Sequence, residues 1–371
     1  MLKKATISIL SVAALLLGAA PAAIADELVG IYRQILRDPL NADLNLQYAM
    51  IAEGRGEYRK ALAAYERVLV NDPGNQSAIE GIQRVRRIIE PAVTLKTLEA
   101  GARWESNALR SEDNAQSEYT AYGSFRIRDE RALGQYRWRT LFGAYGEAHS
   151  SFDFLNYLNL SAESGPLIDV PGTMITLRPA VGTSASFFDD RFYNWDVNAS
   201  LGIEGYLQGA YQWAKLRVGY RAFDPSFVAN SGMFADLTGR AAFKDVLTDG
   251  DVASIAPFLR WSNIDGQPED SFDFAPGRYF EVGTTLEYSK ALSEQLTAAV
   301  SVRVRDLLYA DVGLGARNDY GVAPGAALIA RNVFGPQTDL RFDYRFEQNW
   351  SNQAGHDWQN HVFKLAFVSR R

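Results

Sequence analysis

Residues 119–128 read Tyr119-Thr120-Ala121-Tyr122-Gly123-Ser124-Phe125-Arg126-Ile127-Arg128, and their pattern decides the fold. Apolar side chains such as Phe125 and Ile127 alternate with charged ones such as Arg126 and Arg128. A period of two residues places the two kinds on opposite faces of an extended strand. The stretch therefore predicts a strand with one apolar face and one polar face.

The same alternation continues through the C-terminal three-quarters of the chain. We predict fourteen strands, at 95–106, 118–128, 134–147, 153–162, 174–187, 194–207, 211–221, 233–243, 253–262, 279–289, 295–305, 320–331, 339–347 and 360–369. Each segment has roughly the ten residues that a tilted strand needs to cross a bilayer. The chain is therefore either a soluble β-sandwich or a membrane barrel.

The connection lengths favour the barrel. Connections after odd-numbered strands are mostly long (107–117, 188–193, 222–232, 263–278, 306–319 and 348–359), and those after even-numbered strands are mostly short (129–133, 208–210, 290–294 and 332–338). Outer-membrane barrels have an even strand number, short periplasmic turns and long external loops. The connections 148–152, 163–173 and 244–252 do not follow this rule.

We therefore predict a mainly β fold, a fourteen-stranded antiparallel transmembrane β-barrel, preceded by a small α-helical domain. The last strand fits this class, because Phe363, Leu365 and Phe367 alternate as in the final strands that barrel-assembly machinery recognises. The expected location is the outer membrane, with its lipid around the barrel.

Composition excludes several functional classes. The chain has no cysteine and three histidines among 371 residues, which excludes disulfide scaffolds and thiolate zinc sites and leaves little for acid–base catalysis. A net charge of −6 and a pI near 5.3 argue against nucleic-acid binding. His356 and His361 lie near Ser351 and Asp357 in sequence, but such polar neighbours occur by chance in most loops. We expect no enzymatic activity, no cofactor and no metal.

The first 25 residues predict an export signal. Lys3 and Lys4 precede an apolar stretch from Ala5 to Gly18, and Ala23-Ile24-Ala25 is a small-x-small cleavage site. We expect residues 1–25 to be removed, leaving a helical domain over 26–90 in the periplasm and a barrel domain over 91–371.

Residues 26–90 carry a repeat of 34 residues, in which Asp38-Pro39 recurs as Asp72-Pro73. An apolar stripe with the period of a helix lies between the two marks, at Ala61, Ala64, Tyr65, Val68 and Leu69. This segment resembles the tetratricopeptide repeat, and the resemblance implies a peptide-binding groove. Positions i, i+3, i+7 and i+10 of the helix from Asp43 would form that groove, namely Asp43, Leu46, Met50 and Glu53. The alternative is that Leu46 and Met50 belong to the core.

The charged face of the strands points into the lumen of a barrel. Basic residues outnumber acidic ones on the predicted face, and nine arginines are candidates for a translocation path: Arg126, Arg128, Arg137, Arg139, Arg217, Arg303, Arg305, Arg341 and Arg345. Clustered guanidinium groups within low-dielectric walls favour anionic or hydroxyl-rich solutes, and each can bind a carboxylate with two hydrogen bonds. The alternative is that these arginines pair with acidic residues and only stabilise the barrel.

A signal peptide, a tetratricopeptide-like segment and a C-terminal barrel together resemble two groups of outer-membrane exporters. One exports exopolysaccharides, and the other, the surface lipoprotein assembly modifiers, moves lipoproteins to the cell surface. The resemblance implies an export conduit whose helical domain recruits cargo or periplasmic or inner-membrane components. We expect an exopolysaccharide as cargo, with a lipoprotein as the alternative and a passive porin as a third hypothesis.

Overall fold

A computed structural model of the protein describes residues 20–72, 74–89, 92–133, 136–170, 173, 175–207, 210–226, 231–264, 278–310 and 316–371. The chain forms two compact units, one with the helices and one with the strands. Residues 1–19 of the expected signal peptide lie outside the described residues, as do residues 265–277 of the predicted connection 263–278. Within the described residues, no helix combines the length and apolar character needed to cross a membrane.

The helical unit contains α1 (Ala20–Arg37), α2 (Ala42–Gly54), α3 (Tyr58–Asn71) and α4 (Gln76–Ile89). The 34-residue sequence repeat corresponds to the same capping arrangement at the N-termini of α2 and α4. Asn41 accepts a hydrogen bond from the Leu44 backbone N–H at 3.1 Å, and Asn75 accepts one from the Ala78 backbone N–H at 3.0 Å. A side-chain acceptor at this position satisfies a backbone donor that the helix itself leaves unpaired.

The core of this unit is built from the predicted apolar stripe of α3. Ala61, Ala64, Tyr65 and Val68 are fully buried and pack with residues of the other three helices, including Ile35, Ala49 and Val85. Because three of these positions on α2 and α3 are alanines, the two helix backbones can approach closely.

The second unit contains fourteen strands: β1 (Val93–Glu105), β2 (Glu118–Leu133), β3 (Tyr136–His149), β4 (Tyr157–Asp169), β5 (Ile175–Phe188), β6 (Arg191–Leu207), β7 (Ala210–Phe223), β8 (Gly232–Lys244), β9 (Asp251–Asn263), β10 (Arg278–Ala291), β11 (Leu296–Tyr309), β12 (Asn318–Ala330), β13 (Thr338–Ser351) and β14 (Trp358–Arg370). Each strand pairs antiparallel with its sequence neighbours, and β1 pairs with β14 to close the barrel. The predicted fold class and strand number are confirmed.

The strand bounds correct two parts of the prediction. The fourth strand was predicted at 153–162, but Asp153–Leu155 forms a single 3₁₀ turn and β4 continues to Asp169. The connection 188–193, predicted as a long loop, is a turn of Asp189 and Asp190 with φ of 47° and 58°. Two central residues with positive φ make the tight hairpin turn whose twist matches that of paired strands.

We call the end of the barrel where β1 begins the turn end, and the opposite end the loop end. At the turn end lie the connections that follow even-numbered strands, such as 292–295 and 331–337, and at the loop end lie those that follow odd-numbered strands, such as 106–117 and 352–357.

Candidate translocation path

Ion pairs between strands that are not neighbours identify the inner face of the barrel. Arg139 on β3 binds Glu204 on β6, and Lys215 on β7 binds Glu163 on β4. Such contacts can only pass through the interior of a closed barrel. The register then places side chains of one parity on every strand inside, and all nine predicted arginines share that parity.

The opposite parity carries a continuous apolar exterior. Large exposed side chains on this face come from strands around the barrel, among them Leu98, Phe142, Leu160, Leu201, Leu216, Leu237, Leu286, Val300, Leu328, Phe342 and Leu365. A closed barrel with every strand paired leaves no backbone edge to water, and an apolar exterior suits it to lipid. The chain is an outer-membrane β-barrel protein. Its polar, charged interior inside a closed wall is the architecture of a transport conduit.

The inner face is close to charge balance, which corrects the predicted excess of basic residues. The predicted face omitted several inward acidic residues: Glu118, Glu130, Glu147, Glu163, Asp196, Asp236, Asp319 and Asp339. Glu130 and Glu163 were missed because the predicted second and fourth strands ended too early.

One group of arginines forms an ion-pair network near the turn end, in which Arg139 and Arg137 are largely buried and the Arg128 side chain is 42% exposed. Arg139 is only 4% exposed and binds Glu204 through two hydrogen bonds of 2.8 and 2.7 Å. Glu130 accepts hydrogen bonds from Arg139 at 2.5 Å, from Arg137 at 3.1 Å and from Arg128 at 2.5 Å. Since these partners satisfy the guanidinium groups, the network holds β2, β3 and β6 together and offers little to a solute.

A second group surrounds a luminal cavity of about 510 Å³. Arg126, Arg341 and Arg345 line it; Arg126 and Arg345 are exposed and Arg341 is half-buried. Arg341 and Arg345 each bind the acid two residues further along β13, Asp343 at 2.7 Å and Glu347 at 2.5 Å. A pair on one strand occupies one edge of the guanidinium group and leaves other N–H donors facing the cavity. Arg126 has no ion pair among the described residues.

A second cavity of about 290 Å³ lies nearer the loop end and shares Arg345 with the first. Arg303 and Arg305 line it and share one carboxylate, Glu281, at 3.5 and 3.8 Å. That carboxylate also binds Arg260 at 3.1 Å. Three guanidinium groups around one carboxylate leave a local excess of positive charge beside this cavity.

Small residues on β12 form the common floor of both cavities. The inward positions Gly321, Ala323, Gly325 and Ala327 line one cavity or the other. A Cβ atom at Gly321 would lie 2.9 Å from the Nε atom of Arg305. Glycine is therefore needed there for the Arg305 side chain to lie across β12.

The remaining predicted arginine is separate from both groups. Arg217 on β7 binds Asp236 on β8, and its guanidinium group lies 5.0 Å from the ring centroid of Phe234. This contact pairs the arginine with a neighbouring strand and places it in neither cavity.

The predicted groove on α2 has mixed surroundings. Met50 is 59% exposed and Asp43 is exposed, whereas Leu46 packs against the helical core, so the core reading is wrong for Met50. Glu53 is bound by Arg84 at 2.9 and 3.0 Å and by the Tyr65 hydroxyl at 2.7 Å. This side chain therefore links α2 to α3 and α4.

These contacts shift the pKa values of the Glu53 carboxyl and the Tyr65 hydroxyl. Partial burial raises the pKa of Glu53, but the hydrogen bonds from Arg84 and Tyr65 and the Arg84 charge outweigh it and lower the pKa below its usual value. Burial and the Glu53 carboxylate raise the pKa of Tyr65 to about 12. Both shifts favour an ionised Glu53 hydrogen-bonded to a neutral Tyr65 at neutral pH.

The residues considered for catalysis have structural contacts instead. The Nδ1 atom of His361 lies 3.0 Å from the Tyr344 hydroxyl on the lipid-facing side, and Asp357 accepts a hydrogen bond from the Ser351 backbone N–H at 2.6 Å. Among the described residues, no group of three or more His, Asp or Glu side chains could hold a metal ion. The absence of activity and of cofactors stays a prediction.

Lys364 and Arg110 are among the path residues that the sequence prediction missed. Lys364 lines the larger cavity, with its ammonium group 4.6 Å from the ring centroid of Tyr122. Arg110, in the loop 106–117, lines the smaller cavity, with its guanidinium group 5.7 Å from the ring centroid of Trp358. Strand alternation could have found Lys364, whereas no periodic signal reports a loop residue that folds inward.

Comparison with known proteins finds barrels of similar fold among solved structures. No family model and no curated protein matches the chain. The outer-membrane channel DcaP of Acinetobacter baumannii matches with 9% identity and a TM-score of 0.44 over 76% of this chain and 97% of that one. A bacterial polysaccharide outer-membrane secretin matches with 11% identity and 0.41 over 75% and 98%. A BenF-like porin from Pseudomonas fluorescens Pf-5 matches with 10% identity and 0.37 over 76% and 99%. Likeness at this level concerns the fold and carries no argument about cargo.

Proposed function

We propose that the protein is an outer-membrane export conduit, and that its cargo is an exopolysaccharide with acidic sugars. The observation that carries this proposal is the pair of cavities along β12, which share Arg345 and are lined by arginines on β11 and β13. A floor of small side chains between walls that carry both arginines and carboxylates suits an extended, hydroxyl-rich chain, and the guanidinium donors that their acids leave open can bind its carboxylates.

Most arginines on this path bind cargo weakly, because they are already partly paired. Arg341 and Arg345 keep an intrastrand acid, so a sugar carboxylate competes for the remaining N–H donors. Weak, repeated sites let a polymer enter and leave, whereas one strong site would trap it. The buried group around Glu130 takes no part in this binding.

The helical unit acts before the barrel in this proposal. It joins β1 at the turn end, which in outer-membrane barrels faces the periplasm. The exposed side chains of Asp43 and Met50 on α2 provide a charged and an apolar contact for cargo or for a periplasmic or inner-membrane export component. We also propose that barrel-assembly machinery inserts the chain and recognises Phe363, Leu365 and Phe367 on β14.

The experiment is single-channel recording of the purified protein in a planar bilayer, with oligogalacturonate added on the turn side. In the wild type, the oligomer should interrupt the current. In a triple variant, Arg303→Gln, Arg341→Gln and Arg345→Gln, the residence time should fall at least tenfold. Loss of three charge-assisted hydrogen bonds at about 1 kcal/mol each would allow roughly a hundredfold effect.

Arg331→Gln is the matched control, because Arg331 lies in the 331–337 turn outside both cavities. It should leave the residence time unchanged, and neutral maltooligosaccharides should block wild type and triple variant equally. Unchanged blocking by oligogalacturonate in the triple variant would refute the arginine path. Passage of a lipoprotein through that variant would favour the assembly modifiers, and full conductance of a chain lacking 27–90 without any polymer block would favour a passive porin.

A further inference from the structure

The smaller luminal cavity, here called the loop-end cavity, is lined in part by the connection 106–117 between β1 and β2. The base of this connection is attached to β14. The buried Asn107 side chain donates hydrogen bonds to the backbone carbonyls of Ser111 at 2.7 Å and of Gln359 at 3.1 Å. The Asn107 backbone N–H donates to the Asn360 side chain at 3.0 Å. The connection therefore holds a defined position against the barrel wall.

A second attachment holds the tip of the same connection. Glu112 accepts a hydrogen bond from the Gly355 backbone N–H at 2.6 Å and a longer one from the Asp357 backbone N–H at 3.4 Å. Gly355 and Asp357 belong to the connection 352–357 between β13 and β14. Because Asn107 and Glu112 are both attached, the segment between them stays at the cavity unless these hydrogen bonds break.

Arg110 lies between the two attachments in a strained backbone conformation. Its φ is 48°, in the left-handed region that costs free energy for a residue with a side chain. Such strain persists where the surrounding contacts over-determine the backbone, and it is concentrated at ligand sites. The Arg110 side chain lines the cavity, and its guanidinium group lies 5.7 Å from the ring centroid of Trp358.

Arg110 has the longest ion pair of the five arginines that line this cavity. Its partner is Glu105, at 3.9 Å, and Glu105 already binds Arg103 at 2.7 Å. The other four pair with a carboxylate at 2.5 to 3.8 Å: Arg303, Arg305, Arg317 and Arg345. The Arg110 side chain is also 38% exposed, so several of its five N–H donors can reach a solute.

Trp358 supplies an apolar surface beside this guanidinium group. Its side chain is half-buried and lines the cavity. A second ring of the lining, Tyr309, is buried, and the Arg317 guanidinium group lies over it at 4.6 Å from its centroid. The C–H face of a pyranose ring packs on the apolar face of an aromatic ring, so Trp358 is the surface on which a sugar unit can lie.

We propose that Arg110 is the specificity-determining residue of the loop-end cavity, where it binds the carboxylate of one acidic sugar unit whose ring lies on Trp358. This inference rests on the proposed function, in which an acidic polysaccharide passes through this cavity. In the empty site the guanidinium group covers the Trp358 ring. An acidic unit takes the ring face and gives Arg110 a carboxylate in exchange, whereas a neutral unit displaces the cation and offers only hydroxyl groups. The site therefore selects by the difference between these two exchanges.

Single-channel recording with oligomers added on the loop side tests this role. The probes are oligogalacturonate and its methyl ester of the same length, which has the same rings without the charge. In the wild type, the acidic oligomer should interrupt the current about tenfold longer than the ester. Arg110→Gln should lower this ratio of residence times by about fivefold or more, because the carboxylate loses its charged partner.

Trp358→Leu separates stacking from charge recognition. It removes the ring and keeps the guanidinium group, so both oligomers should leave sooner and their ratio should stay near the wild-type value. Arg110→Gly separates recognition from loop structure. Glycine adopts a φ of 48° without strain, so this variant should keep the wild-type heat-dependent gel mobility and still lose the ratio.

Arg191→Gln is the matched control, because Arg191 is an exposed arginine at the loop end, where β6 begins, and lines neither cavity. It should leave the ratio unchanged. A wild-type ratio in Arg110→Gln, with block still lost in the triple variant of Arg303, Arg341 and Arg345, would overturn this inference alone. A wild type that oligogalacturonate does not interrupt would overturn the proposed function as well.

Discussion

Replacement of Arg139 by Gln should destabilise the barrel more than any other single arginine change considered above. Arg139 is 4% exposed, and its loss leaves the buried Glu204 without its two-hydrogen-bond partner and Glu130 without one of its three arginines. Removal of one member of a buried ion pair typically costs about 3–5 kcal/mol, because the remaining charge stays buried. At a denaturant dependence of about 2 kcal/mol/M, the urea midpoint should fall by roughly 2 M.

Urea unfolding in detergent micelles, followed by gel mobility and by tryptophan fluorescence, measures this change. Arg345→Gln is the control, because its side chain is 46% exposed and such pairs contribute about 1 kcal/mol or less. Adding Glu204→Gln to Arg139→Gln should recover part of the loss, since it removes the charge that the first change leaves buried. An Arg139 variant as stable as the Arg345 variant would refute the division into buried and exposed groups.

Three further changes test local features. Asp190→Gly should stabilise the barrel by about 0.5–1 kcal/mol in urea unfolding, because Asp190 has a φ of 58° in the tight β5–β6 turn. Gly81→Ala should lower the melting temperature of the helical unit, followed by circular dichroism at 222 nm, since the new Cβ would lie 2.3 Å from the Tyr65 ring. Gly30→Ala should raise it, because the new Cβ meets no atom within 4 Å and alanine favours the helix. The helical unit should become less stable as pH falls from 7 to 3, measured by the same signal. The folded state lowers the pKa of Glu53, so the ionised carboxylate stabilises the fold above its unfolded-state pKa, and this stabilisation is lost as pH falls through the folded-state pKa. Glu53→Gln should reduce this pH dependence.

Each of these results has a clear contrary outcome. An Asp190→Gly barrel no more stable than the wild type would mean that the turn does not strain the aspartate. Equal effects of Gly81→Ala and Gly30→Ala would contradict the close packing of Tyr65. A pH dependence that persists fully in Glu53→Gln would assign it to other carboxylates.

The periodic features of the fold could be predicted from the sequence. A strand that faces lipid on one side and charge on the other must alternate, so all fourteen strands were visible in the pattern. Non-periodic features were not visible. The residues of the 3₁₀ turn at Asp153–Leu155 are of types that also occur at the start of a strand. The turn at Asp189-Asp190 lacks the glycine that usually marks a hairpin turn of this kind.

The same limit applies to the path. Alternation correctly placed all nine arginines on one face, but it could not separate Arg139 from Arg345, because burial depends on strands that are distant in sequence. Glu204, which holds Arg139, lies three strands away from it. The separation into buried and exposed groups therefore required the closed barrel.

Single-cysteine labelling of β12 is the most direct test of the central claim. That claim is that the outer side of the barrel wall faces lipid and the inner side faces water. The chain has no cysteine of its own, so each new thiol reports one position. In cells, Ala323→Cys and Ala327→Cys should react with a charged, membrane-impermeant thiol reagent, and Ala326→Cys and Leu328→Cys should not. Equal reaction at all four positions, or reaction only at Ala326→Cys and Leu328→Cys, would contradict the arrangement on which the transport proposal rests.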